Sequence, residues 1–212
     1  MNPTARECLV IFTRYPEAGK TKTRMIRALG AEGAATLQRQ MTEQTITRAK
    51  KLTASRPLVI EVHFAGGTEQ LMQEWLGLDL VYRFQGEGDL GRRMNSAFEA
   101  TLAKGITRVV IIGTDCPDLE VKLLTEAFDA LSQHDLVLGP AEDGGYYLIG
   151  LRRLIPELFE EINWGTSQVR EQTVEIAQRL NLAISYLTLL SDIDRPEDLV
   201  GQNFDFDLPN FQ

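Results

Sequence analysis

The sequence predicts an α/β protein, a three-layer α/β/α sandwich around a mostly parallel sheet. Three observations carry this. Short apolar, β-branched runs alternate with segments of helical periodicity along the chain. The run Val109-Val110-Ile111-Ile112 has no polar break, as expected of a strand buried on both faces. The loops that follow the predicted strands hold cations, glycines and acids, and open α/β sheets bind ligands beyond the carboxyl ends of their strands.

A chain of 212 residues, 43% hydrophobic and 25% charged, fits one α/β domain over residues 1–212 better than two small ones. It is long enough to bury a core without disulfides or a structural metal. Net charge is −8 and the isoelectric point about 4.9, which argues against a nucleic-acid-coating surface. A basic loop stands out against that background. Cys8 and Cys116 form neither a disulfide framework nor a zinc pattern. No apolar run reaches membrane-spanning length, and the amino terminus lacks the layout of a signal peptide. The expected location is the cytoplasm.

Taken in order, Cys8–Phe12 reads as the first strand. It feeds Thr13–Arg24, a loop with Arg14, Lys20, Lys22 and Arg24 together with Pro16 and Gly19. Such a loop suits a pyrophosphate or triphosphate, although it has neither P-loop nor dinucleotide-fingerprint spacing. Ala31 to about Leu52 has helical periodicity. Leu58–Phe64 is a second strand and Glu69–Leu76 a short helix; His63, His134 and Trp75 read as structural. Leu80–Phe84 is a third strand, followed by a glycine-rich turn opening a helix to about Lys104. There Gly86 and Gly88 would let the backbone approach a flat nucleobase. Arg93 would brace that loop or a phosphate, and Asp89 would border the ligand or cap the helix.

The central strand ends at Gly113, and Asp115 follows where a metal or phosphate-bearing substrate is met. Pro117 turns the chain, and Asp118 reads as a cap for the helix Leu119–Leu131. Asp135–Pro140 is a fifth strand. Tyr146–Gly150 follows it too closely for a parallel crossover, so it pairs antiparallel or lies on another edge. Asp143, in the turn between them, would accept a proton, hold an acceptor hydroxyl, or serve turn geometry. Trp164 would close over a ligand or pack, and Thr166 or Ser167 would cap a helix over Gln168–Leu180. Ala183–Leu187 is the last strand. Pro196 opens a final helix, and Asn203–Gln212 is expected to wrap the surface. Lys22, Arg24, Gly88, Asp115, Asp143 and Asp194 all fall in loops after strands. Mg²⁺ is commonly held by one or two carboxylates with substrate phosphates, and Asp115 and Asp194 could be that pair.

Six pieces then occur in order: R-x-P-x-x-G-x-x-K-T-R (Arg14–Arg24), G-x-G-D-L-G-x-R-M (Gly86–Met94), G-T-D-C-P-D-L (Gly113–Leu119), D-G-G-Y-Y-L-I-G (Asp143–Gly150), W-x-T (Trp164–Thr166) and D-I-D-x-P-E-D-L (Asp192–Leu199). As a set they resemble a bacterial family of small glycosyltransferase-like proteins in the nucleotide-diphospho-sugar transferase superfamily, a family associated with arsenosugar biosynthesis. The resemblance implies a GT-A-type, Rossmann-like fold, a nucleotide or nucleotide-sugar substrate with a small-molecule acceptor, and a Mg²⁺ or Mn²⁺ ion. It also implies metal ligation by Asp115 and Asp194 and phosphate contacts from Lys22 and Arg24. Arg195 stands where the family usually has Thr, which loses a helix cap of about 1 kcal/mol and sets a cation beside Asp194.

The leading expectation is therefore a metal-dependent transferase using a nucleotide-activated sugar. Asp115, Asp143, Lys22 and Arg24 would be its catalytic groups, with Arg14, Gly86, Gly88, Asp89, Arg93 and Trp164 binding substrate. One alternative is a nucleotidyltransferase moving a nucleotidyl group from an NTP to a phosphorylated acceptor, served by Lys20, Lys22 and Arg24. Another is a nucleotide-binding regulatory protein without catalysis. Base, sugar, acceptor and oligomeric state are left open by the sequence.

Overall fold

The computed structural model describes residues 6–199. Seven strands form one sheet: β1 (Glu7–Arg14), β2 (Val59–Ala65), β3 (Val81–Phe84), β4 (Arg108–Ile112), β5 (Leu136–Pro140), β6 (Tyr146–Leu151) and β7 (Ile184–Tyr186). Their order is β3-β2-β1-β4-β6-β5-β7. Pairing is parallel except at β6, which runs antiparallel to β4 and β5. Five helices accompany the strands: α1 (Ile26–Thr53), α2 (Glu69–Leu76), α3 (Leu90–Leu102), α4 (Val121–Ala130) and α5 (Val169–Arg179). The three-layer, mostly parallel α/β fold is the one expected. The five-residue connection into β6 resolves the open pairing as antiparallel, and places that strand inside the sheet.

The two-residue period of the strands sorts their side chains onto two faces. Leu9, Ile11, Val110 and Ile112 pack with Ile46 and Leu52 of α1, Met72 of α2, and Leu124 and Phe128 of α4. Cys8, Val10, Val109 and Ile111 face Met94 and Phe98 of α3 and Val169 and Ile176 of α5. Both faces of β1 and β4 are thus covered, which is why their sequences are apolar throughout. A third cluster joins Met25, Leu37 and Met41 to Ile193 and Leu199. It pins the chain after β7 against α1.

Several boundaries differ from the periodicity reading. The helix expected at Ala31 begins at Ile26 but breaks at Gly30 (φ 70°, ψ 171°), so its continuous part starts where expected. Neither Thr166 nor Ser167 caps α5: its N-cap position is Gln168, which makes no side-chain cap. The Thr166 hydroxyl accepts from Gln168 N and donates to Asn163 O instead, closing a turn ahead of the helix. Asp118 does not cap α4 either, because that position falls to Glu120. The segment from Pro196 is a 3₁₀ turn through Leu199, and the tail over Asn203–Gln212 lies outside the described residues. Among the described residues no helix is long and apolar enough to cross a membrane.

Candidate active site

A cavity of about 450 Å³ opens beyond the carboxyl ends of β1 and β4, within the size range of small-ligand sites. Arg14, Lys22, Arg93, Asp115, Asp143, Trp164 and Asp194 all border it. These residues come from six separate segments, strand ends, loops or helix starts, spread from position 14 to position 194 of the chain. A second cavity of about 500 Å³ adjoins it and shares Asp143, Thr166, Asp192 and Asp194. Arg24 borders this second cavity.

The cation loop is held in an unusual backbone. Lys22 adopts the left-handed region (φ 45°), which costs a non-glycine residue roughly 1–2 kcal/mol. The conformation turns its side chain inward until only 3% is exposed, and Nζ reaches Asp115 Oδ1 at 2.7 Å. Nζ also donates to the Ile193 carbonyl, and Ile193 N donates to Asp115 O at 2.8 Å. Three loops are thereby tied together around one ammonium. Arg24 pairs with Asp194 on the solvent side of the same seam. Lys20 points away, exposed and paired with Glu17 at 2.7 Å.

The acids are crowded. Asp192, which the sequence does not mark out from its surroundings, borders both cavities, as Asp194 does. Burial raises its carboxyl pKa, and the neighbouring Asp143, Asp115 and Asp194 carboxylates push it the same way. Asp143 serves turn geometry, accepting from Gly145 N at 2.7 Å, and also borders the cavity. Asp198 accepts from both Asp194 N and Arg195 N. Asp198 thus reaches back to the backbone ahead of the turn, the acidic half of a capping box, while its own N–H donates to the Arg195 carbonyl at 3.0 Å. The Arg195 guanidinium lies 4.0 Å from Glu197.

On the other wall, Arg93 donates to Gln85 Oε1 at 3.0 Å and to the Asp89 carbonyl at 3.2 Å. It braces the glycine-rich loop while bordering the cavity. Gln85 Nε2 is in turn fixed by the carbonyls of Thr13 and His63, each at 3.0 Å. Asp89 is the N-cap of α3, accepting from Arg92 N at 2.8 Å. Gly86, Gly88 and Asp89 are not among the residues that border the cavity; Leu90, Arg93 and Met94 are. Trp164 lies flat on the first turn of α3: a Cβ on Gly91 would sit 2.5 Å from its indole. The glycine at position 91, rather than 86 or 88, makes the close approach. Cys116 is buried, and burial together with Asp115 raises its thiol pKa, so it stays a thiol rather than a nucleophile.

A family described as an uncharacterised protein conserved in bacteria, DUF2064, matches residues 46–166. This chain belongs to the DUF2064 family. The matched stretch holds four of the six motif pieces and stops short of the cation loop and of Asp192–Leu199. No curated protein matches the sequence. A solved structure from Desulfovibrio desulfuricans G20, provisionally described as a nucleotide-diphospho-sugar transferase, is 33% identical with a TM-score of 0.84, covering 90% of this chain and 83% of that one. Two more distant structures share the fold. One is 4-diphosphocytidyl-2C-methyl-D-erythritol synthase from Anaerococcus prevotii DSM 20548, 12% identical, TM-score 0.59, covering 91% of this chain and 94% of that one. The other is the inositol-1-phosphate CTP transferase from T. maritima, 13% identical, TM-score 0.51, covering 93% and 92%.

The donor set suits a hard divalent cation. Mg²⁺ is usually held by one or two carboxylates with substrate phosphates and water completing its shell. Asp115, 48% exposed and bordering the cavity, has the chemistry for this, and a cation there would relieve the repulsion among the neighbouring carboxylates. Among the described residues no group of three or more His, Cys, Asp and Glu side chains is arranged to hold a metal unaided.

Proposed function

We propose that this chain is a transferase of the nucleotide-diphospho-sugar type, working on a nucleotide-activated sugar with Mg²⁺ or Mn²⁺. The observation that carries the reading is the meeting of Lys22 with Asp115, and of Arg24 with Asp194, at the seam between two cavities. The kinship to the Desulfovibrio protein points the same way. Asp115, with Asp194 and its neighbour Asp192, would hold the cation. In this role the cation offsets charge on the diphosphate as a Lewis acid.

The rest of the chemistry falls to the chain. Each cation and its partner acid neutralise one another before substrate arrives. Diphosphate then takes the place of Asp115 opposite Lys22 and of Asp194 opposite Arg24, freeing both acids. As an acceptor hydroxyl attacks the anomeric carbon, the bond from that carbon to the diphosphate oxygen breaks. Negative charge grows on the leaving diphosphate beside two fixed cations. Asp143, common to both cavities, accepts the hydroxyl proton. Arg14 and Arg93 line the wall available to the nucleotide, and Trp164 packs over α3 to exclude water. The acceptor enters through the 500 Å³ cavity.

Nucleotidyl transfer from an NTP is the second reading, favoured by the fold shared with the CTP transferase. The exposure of Lys20, and its pairing with Glu17, removes one of the three cations expected on a triphosphate. Incubating the protein with each nucleotide sugar and each NTP, with Mg²⁺ or Mn²⁺, tests both. Nucleoside diphosphate released from a sugar nucleotide supports the first reading, and pyrophosphate released from an NTP supports the second. Tight nucleotide binding with neither product makes the chain a regulatory binder.

A further inference from the structure

A buried polar cluster forms part of the cavity floor: Thr13, Thr21, Gln38 and Thr114 border the cavity, and Thr42 packs behind them. Gln38, on α1 and 5% exposed, has Nε2 at 3.3 Å from Thr13 Oγ1, 3.1 Å from Thr42 Oγ1 and 3.3 Å from Thr114 Oγ1. Its Oε1 accepts from Thr21 Oγ1 at 3.3 Å. The hydroxyls of Thr13 and Thr42 are 2.8 Å apart. All four threonines are buried. Two amide N–H groups serve three hydroxyl oxygens, so the hydroxyls must also donate to one another. The cluster is satisfied only as a unit, and leaving any member unpaired at this depth is costly. Leucine would fill the space at lower risk.

The sequence positions of its members are informative. Thr13 precedes Arg14, Thr21 precedes Lys22, and Thr114 precedes Asp115. Each of those following residues borders the cavity. One side chain on a rigid helix thus fixes the end of β1 and two loops, each at the residue before a charged group. We propose that Gln38 is a positioning residue that sets the spacing of Arg14, Lys22 and Asp115 for a nucleoside diphosphate and its divalent cation. This rests on the nucleotide-and-metal reading of the cavity. A displacement of about 1 Å among such groups costs on the order of a hundredfold in rate, so a polar hub is worth its burial here.

The test is thermal unfolding of the full chain, using whichever of ADP, CDP, GDP and UDP stabilises it most, titrated with Mg²⁺ and Mn²⁺. The quantity read is the metal concentration giving half of the nucleotide-dependent shift. Gln38→Leu and Thr114→Val are expected to unfold cooperatively with that midpoint raised about tenfold. Thr114→Ser, which keeps the hydroxyl, is expected within twofold of the parent. Should Gln38→Leu fail to fold, Thr114→Val against Thr114→Ser decides alone. Midpoints within twofold of the parent for the folded disrupting variants, whatever their melting temperatures, overturn the proposal and leave the functional reading standing. An equal rise in Thr114→Ser overturns it too, because packing rather than the hydroxyl would then be responsible. A parent protein that no diphosphate stabilises, with or without metal, overturns both.

Discussion

Paired charges occur at both ends of this sheet, and the two sets are built differently. At the amino ends of the strands, Glu7 of β1 is buried against Arg56 and Arg108, and Arg56 also donates to Asp129 at 2.8 Å. Glu61 of β2 is buried against Lys104 at 2.6 Å and His63 at 3.1 Å. At the carboxyl ends, the acids facing Lys22 and Arg24 are 48% and 35% exposed, open to whatever ligand enters. The first set holds neighbouring elements together, and its central acids, Glu7 and Glu61, are sealed from exchange, with only Asp129 exposed at its rim. The second leaves each acid half in solvent, so a phosphate and a metal ion are able to trade places with the existing partners. Burial of the central carboxylate, rather than the presence of an ion pair, separates the set at the amino ends from the set at the candidate site.

The largest effect that separates the two ends is expected at Asp115. Asp115→Asn keeps an acceptor for the buried Lys22 ammonium but removes the charge. Turnover should fall at least about a thousandfold, roughly 4 kcal/mol of transition-state stabilisation, with the melting temperature within a few degrees of the parent. At the other end, Arg56→Ala leaves Glu7 half-paired and removes the guanidinium stacked on Phe128. Denaturant melts should show a loss of about 3 kcal/mol, with nucleotide affinity unchanged. A reversal of those two outcomes would break the comparison.

A pH titration sharpens it. Burial opposes ionisation of Glu61, but hydrogen bonds from His63 and Lys104, and then their charges, outweigh it and hold the pKa at about 2 against an ordinary 4.5. A lowered folded-state value means that the unfolded chain takes up the proton first. Stability contributed above pH 4.5 is therefore lost as pH falls from 4.5 toward 2, by on the order of 2–3 kcal/mol. Glu61→Gln should flatten that part of the stability curve, measured by urea melts across pH 2.5–6. The smallest effect is expected at Gly91→Ala, whose methyl must displace Trp164 from α3. Nucleotide affinity should fall about tenfold, roughly 1.4 kcal/mol, with the indole fluorescence altered.

The sequence made the sheet legible because buried parallel strands declare themselves as unbroken apolar runs, and β1 and β4 do so. It made Lys22, Arg24, Asp115 and Asp194 legible because a basic loop and post-strand acids contrast with an acidic chain. It did not reveal that Asp192 borders both cavities beside Asp194, since a spacing of two residues in a loop carries no direction. Asp89 caps α3, and with Gly86 and Gly88 it lies outside the cavity lining, a placement that residue type alone does not disclose. Gln38 went unnoticed although the signal was there. Gln38, Met41, Thr42 and Thr45 share one buried face of α1, and polar residues at core spacing on a helix announce a network rather than a solvated surface.

The central claim is a site built for a diphosphate and a divalent cation together. Calorimetric titration of the protein with a nucleoside diphosphate and with the matching monophosphate, with and without Mg²⁺ or Mn²⁺, tests it most directly. The account predicts at least tenfold tighter binding of the diphosphate, dependent on the metal and lost in Asp115→Asn. Equal binding of the two nucleotides, indifferent to metal and to Asp115, would contradict it.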